Sequence, residues 1–124
     1  MHYDLNPNNI LIDAKGQVIF LDWRQASIGD RAMDIAKFFY KNYLNERQRE
    51  LFFKIYLDDI EDPTIIFRTA TYYPLIVLSS LLWRLRFLNI DIKEHPDIEN
   101  QADIELVRDR LKDDYEYLMS ITRL

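Results

Sequence analysis

Apolar residues follow two kinds of pattern along this chain, and the change between them comes near residue 30. Upstream, two short β-branched runs, Ile10 to Ile12 and Val18 to Leu21, flank Asp13-Ala14-Lys15-Gly16. Gly16 can take positive φ there, so the pattern predicts a β-hairpin. A connection of two to four residues pairs Asn9 with a residue between Phe20 and Asp22. Neighbouring strands lie about 5 Å apart, so Asn9 and Asp22 converge at the open end of the hairpin whichever register holds.

Downstream the period becomes helical. Ala32, Ile35, Ala36, Phe39 and Tyr43 predict an amphipathic helix from Arg31 to Tyr43, with Asp30 as its N-cap. Asn45 with Gln48 three residues later opens a second helix, through about Asp59. Asp62-Pro63 starts a third, because proline suits the first helical position. Pro74 should kink or split that helix near Tyr73 and leave Leu75 to Leu88, apolar on nearly every side, as the central core helix. Asn89 to Asn100, with His95-Pro96, reads as a loop. Ile104, Val107, Leu111, Tyr115 and Leu118 mark a last helix, from about Gln101 to near the C-terminus. The expected fold class is α+β and mostly helical: an N-terminal loop and β-hairpin packed on about four to five helices, in one domain over residues 1–124 without repeats, low-complexity segments or linkers.

Composition narrows the function classes. With 124 residues, 48% of them hydrophobic, the chain can bury a core. Sixteen Lys and Arg against 21 Asp and Glu give a net charge of -5, which argues against nucleic-acid binding, since that needs clustered cations. Without cysteine there is no disulfide and no thiolate metal site, which suits the cytoplasm. Asp4, Asn6, Pro7, Asn8 and Asn9 stand where a signal peptide would be apolar. Ile65 to Leu88 is long enough to span a bilayer, but it carries Arg68, Arg84, Arg86 and Pro74; a buried core helix is the expectation, with no membrane partner.

Asp4 and Asn9, with Pro7 between them, are taken singly the turn formers such residues usually are. Together with Asp22 they have another reading. Phosphoryl transfer needs a carboxylate beside the attacking hydroxyl and oxygen ligands that hold Mg²⁺ on the phosphates; Asp4 suits the first role, and Asn9 and Asp22 the second.

These residues carry a resemblance. His2-x-Asp4-x-x-x-x-Asn9, followed 18 positions after Asp4 by Asp22-Trp23, resembles the catalytic loop and metal-binding segment of the protein-kinase-like fold. Gly29-Asp30-x-x-x-Asp34-Ile35-Ala36 resembles, more narrowly, the aminoglycoside phosphotransferase and choline kinase family. A protein kinase would have glycine at position 24 and a long activation loop; here Arg24 stands there and only seven residues separate Asp22 from Asp30. The acceptor implied is therefore a small hydroxylated molecule.

The resemblance implies a C-terminal lobe in which Asp4 is the catalytic base or hydroxyl-orienting group. Asn9 and Asp22 hold Mg²⁺, and ATP or another nucleoside triphosphate is the donor. His2 is a scaffold residue bonded to backbone near Asp22, with a histidine base as the competing reading. Asp34 is buried and braces the loop. Asp30 either supports the site or only caps its helix, and Asp13 is a turn residue. Three positions depart from the family pattern: Tyr3 where glycine is usual, Arg24 where an acidic residue is common, and Arg31 where proline is frequent. Arg24 places a cation near the site, to pair with an acidic neighbour or to shift substrate preference. Asp58-Asp59 and His95-Pro96 are either cleft-lining or solvated, and Trp83, Tyr72 and Tyr73 either an aromatic wall or core.

Such a kinase also needs a phosphate-covering loop and a lysine paired with a glutamate on an N-terminal lobe. Only Met1 precedes His2, and Gly16 and Gly29 are the chain's only glycines, so that lobe is expected to be absent from these residues. Two readings follow: a catalytic lobe completed by a separate N-lobe chain or prone to self-association, or a non-catalytic remnant that works by binding a partner.

Overall fold

A computed structural model describes residues 1–91, 93 and 101–122, and contacts divide the chain into two units, Met1–Tyr73 and Pro74–Leu124. In the first unit β1 (Ile10–Ile12) pairs antiparallel with β2 (Val18–Phe20), with Ile10 opposite Phe20 and Ile12 opposite Val18. The Asp13 carboxylate accepts the backbone N–H groups of Lys15 and Gln17, and Gly16 turns the chain at φ +78°. This satisfies the turn's donors locally and fixes the register.

Three helices follow in or from this unit: α1 (Arg31–Lys41), α2 (Glu46–Tyr56) and α3 (Ile65–Arg86). Asp30 caps α1 through the N–H of Ala32, and Asn45 with Gln48 forms the complete capping box of α2. The apolar stripe Ala32, Ile35 and Phe39 is buried with Ile65, and Phe38, Leu44, Phe52, Phe53, Tyr56 and Leu57 pack around it. Phe39 is the hub: the rings of Phe52 and Phe53 meet it edge-on at 5.2 and 5.4 Å. An ion-pair network braces this core from outside. Arg68 reaches Asp30 at 2.9 Å and Asp62 at 3.0 Å, tying the cap of α1 to the start of α3.

Several boundaries differ from the sequence expectation. Helix α1 stops at Lys41, two residues early, because Tyr43 takes φ +54°. The N–H of Leu44 then bonds Phe39 O and that of Tyr43 bonds Tyr40 O, a terminator that normally carries glycine at the left-handed position. Tyr43→Gly should therefore stabilise the fold by about 1 kcal/mol, read as a higher urea midpoint with unchanged slope. Helix α2 ends at Tyr56 rather than near Asp59, its C-cap being Leu57. At Asp62-Pro63 there is a turn, in which Asp62 receives the N–H groups of Thr64 and Ile65, and the helix proper begins at Ile65.

Pro74 does not split α3, which runs unbroken from Ile65 to Arg86; the division between the two units falls at that residue instead. Nor is Leu75 to Leu88 a buried core helix. Ile76 and Val77 are buried, whereas Leu75, Leu78, Leu82 and Trp83 are exposed. Among the described residues the second unit offers this segment one long partner, α4 (Gln101–Thr122), joined to it by the Arg84–Asp114 ion pair. A single neighbour covers one stripe of a helix that is apolar all round. Ile65–Asn89 is long and apolar enough to cross a membrane by length and composition alone, a test that soluble core helices also pass. Phe87–Asp91 adds one π-helical turn, with Phe87 stacked on Trp83.

Candidate active site

The loop before the hairpin is shaped by its asparagines. Asn6 caps a 3-10 turn over Pro7–Asn9 by accepting the N–H of Asn8, and proline suits the start of that turn. The turn delivers Asn9 to the mouth of the hairpin, where its carbonyl accepts the N–H of Leu21 at 2.8 Å. Asn9 therefore lies opposite Leu21, next to Asp22. Its Nδ2 donates to the Asp4 carbonyl at 2.9 Å and to Asp4 Oδ2 at 3.1 Å, while Asn6 Nδ2 donates to Asp4 Oδ1 at 3.0 Å. Asp4 and Asn9 are thus locked together. Each Asp4 oxygen keeps lone-pair capacity for a further donor, and among the described residues no donor reaches Asn9 Oδ1.

The scaffold behind the loop is equally specific. His2 is buried; its Nδ1 accepts the N–H of Asp4 at 3.2 Å, so Nε2 carries the proton and donates to Leu21 O at 2.7 Å. One imidazole thereby links the loop to Leu21, between the end of β2 and Asp22, and its ring packs on Trp23 at 4.6 Å. Asp34, on the first turn of α1, accepts the N–H of His2 at 2.6 Å and that of Tyr3 at 2.8 Å. It braces the loop as expected but is half-buried rather than buried. Tyr3 has φ +73°, which explains why glycine suits this position. The Tyr3 side chain is held by its hydroxyl on Met33 Sδ and by the Lys37 ammonium 3.8 Å above its ring.

Two contributors were missed in the sequence. Lys37 Nζ donates to Tyr3 O, and Asn42 Nδ2 donates to Leu5 O at 2.8 Å. The available signal was spacing: Lys37 lies three residues beyond Asp34, on the same helical face. Burial pushes the Lys37 ammonium below its usual range, partly opposed by the charge of Asp34.

Asp22, two residues beyond β2, caps the short turn Trp23–Gln25 with φ +57°, in the left-handed region that aspartate tolerates better than most residues. Arg24, on the short turn Trp23–Gln25, grips it with Nε on Oδ1 at 2.7 Å and Nη2 on Oδ2 at 2.6 Å. That fork, more than any other interaction, holds the Asp22 carboxyl down at about 2, and the same pairing raises the Arg24 guanidinium.

Other candidates lie elsewhere. Asp30 bonds Ala32, Arg68 and Tyr72, and none of these partners belongs to the loop; its carboxyl is held below the usual range first by the Ala32 N–H and then by Arg68. Arg31 lies 3.5 Å from Asp62. Asp58 and Asp59 are exposed. Tyr72 and Tyr73 pack against the core of the first unit, whereas Trp83 is exposed in the second. His95-Pro96 falls outside the described residues.

Among the described residues no three His, Asp or Glu side chains cluster as a self-sufficient metal cage. The chemistry of the donors still fits Mg²⁺, which takes hard oxygen ligands and is commonly held by one or two side chains together with substrate phosphates. Asn9 Oδ1, which no donor reaches among the described residues, and the Asp22 carboxylate just beyond β2 are oxygen donors of that kind.

Comparison with known proteins gives the same direction. The family described as the phosphotransferase enzyme family matches residues 1–67. A protein of Metamycoplasma hominis, "Protein LicA homolog", is 35% identical over 78 residues, which are 63% of this chain and 31% of the relative. The chain thus spans under a third of that relative's length. No solved structure matches it.

Proposed function

Because the chain belongs to the phosphotransferase enzyme family, we propose that its loop and hairpin form the metal- and acceptor-handling half of a small-molecule kinase site. This half serves transfer of the ATP γ-phosphoryl group to a hydroxyl. The observation that carries the proposal is the interlock of Asp4 with Asn9, together with the strand pairing that sets Asn9 opposite Leu21 and beside Asp22.

In this reading Asp4 accepts the hydrogen bond of the substrate hydroxyl, aims its oxygen and takes its proton as the bond to phosphorus forms. Asn9 Oδ1 and the Asp22 carboxylate hold Mg²⁺; when bound, the ion supplies positive charge against the phosphate oxygens. His2 is not the base, since both ring nitrogens are committed to backbone groups. Asp34 and Lys37 fix the backbone on which Asp4 is carried. The short connection from Asp22 to Asp30 leaves no space for a peptide-binding activation loop, which favours a small acceptor. With two glycines in all, these 124 residues do not themselves supply a glycine-rich phosphate cover, and we assign that task to residues outside them.

The test is calorimetric titration of millimolar ATP into the chain, with and without Mg²⁺, for the wild type and Asp22→Asn. Asparagine keeps the left-handed backbone while removing the charge. Binding that requires both Mg²⁺ and Asp22 is expected. Binding indifferent to both, or none at millimolar nucleotide, would count against the proposal.

A further inference from the structure

Both oxygens of the Asp22 carboxylate are engaged by one guanidinium. Nε of Arg24 lies 2.7 Å from Oδ1, Nη2 lies 2.6 Å from Oδ2, and the Arg24 N–H adds a 3.4 Å contact to Oδ1. The pair is local: φ +57° at Asp22 and the short turn after it bring the side chains together across two residues. The Arg24 side chain is 86% exposed and that of Asp22 29%, so separating them breaks no packed core.

A divalent cation and a guanidinium compete for the same thing, a carboxylate with two available oxygens. Resting on the reading of Asp22 as a metal ligand, we infer that Arg24 sets the chain's metal affinity. Its guanidinium holds Asp22 as a built-in counter-ion, and a divalent cation binds there only in exchange for it. Arg24 acts through Asp22 and is a positioning residue. Lysine at this place keeps the charge but lacks the planar fork that grips both oxygens at once.

The experiment is binding of Mn²⁺ alone, followed by the loss of its free electron-paramagnetic-resonance signal. It compares wild type with Arg24→Gln, Arg24→Lys, Asp22→Asn and Lys15→Gln. Lys15, in the hairpin turn, matches the charge change of Arg24→Gln away from Asp22. Arg24→Gln should bind Mn²⁺ about three- to tenfold more tightly, the range expected for relief of an exposed bidentate pair. Arg24→Lys should also tighten binding although net charge is unchanged, Lys15→Gln should match wild type, and Asp22→Asn should lose the site. If both Arg24 variants bind like wild type while Asp22→Asn binds weakly, the exchange is wrong and the metal role of Asp22 stands. Equal tightening by Lys15→Gln would reduce the effect to net charge and overturn the exchange. If all five proteins bind alike, the metal role of Asp22 fails, and the exchange with it.

Discussion

Asp4→Asn should lower phosphoryl transfer to a hydroxyl acceptor by about 10²- to 10⁴-fold, the usual contribution of a positioned general base, while leaving Mg²⁺-dependent nucleotide binding unchanged. The structural disturbance is small. Asn6 and Asn9 each point an amide N–H at one Asp4 oxygen, so an asparagine there sets its own NH₂ against one of them and loses one hydrogen bond. That costs about 1 kcal/mol of stability. Steady-state kinetics beside a binding titration separates the roles: a fall in kcat with unchanged nucleotide affinity belongs to an acceptor-orienting group, whereas parallel loss of both would make Asp4 a structural residue.

Asp34→Ala has the largest expected effect on the fold itself. One carboxylate accepts two successive backbone N–H groups, from His2 and Tyr3, in a half-buried position. Hydrogen bonds to a charged acceptor are worth about 1.5–3 kcal/mol, and alanine strands both donors, so a loss of about 2–4 kcal/mol is expected. The consequence should be directional. The loop carries Asp4 and Asn9, so hydrogen exchange should lose protection at His2, Tyr3 and Asp4 well before it does at Phe39 in the core. Uniform loss across α1 would mean that Asp34 stabilises the helix rather than the loop.

These residues also show what the sequence carries and what it leaves out. The hairpin was legible because its turn satisfies its own donors and its β-branched runs fit no other element. The capping residues Asp30, Asn45 and Gln48 were legible because they act within four residues of where they stand. His2 bonding the backbone beside Asp22, and Asp34 holding the loop, came from the family resemblance; composition offers no route to a contact spanning 32 residues. Lys37 and Asn42 were missed for that reason: each looks like an ordinary helix-surface residue until the loop is laid across α1. Helix α3 failed differently. Hydropathy says which side chains gain from burial, not which neighbours exist to bury them, so Leu75, Leu82 and Trp83 read as core and lie exposed. Tyr3, Asp22 and Tyr43 all take positive φ without glycine, a cost that no periodicity displays. At Asp22 the same backbone aims the carboxylate at Arg24, a pairing the sequence offered only as one alternative.

The central claim is that Asn9 and Asp22, flanking the open end of the β1–β2 hairpin, hold one divalent cation beside Asp4. The most direct measurement is Mn²⁺-induced broadening of backbone amide resonances in the ¹⁵N-labelled chain, with wild type and Asp22→Asn compared. Selective broadening is expected at Asp4, Asn9 and Leu21 to Arg24 at low Mn²⁺, absent in Asp22→Asn. Broadening spread over exposed acidic positions such as Asp58 and Asp59, and unchanged in Asp22→Asn, would contradict it.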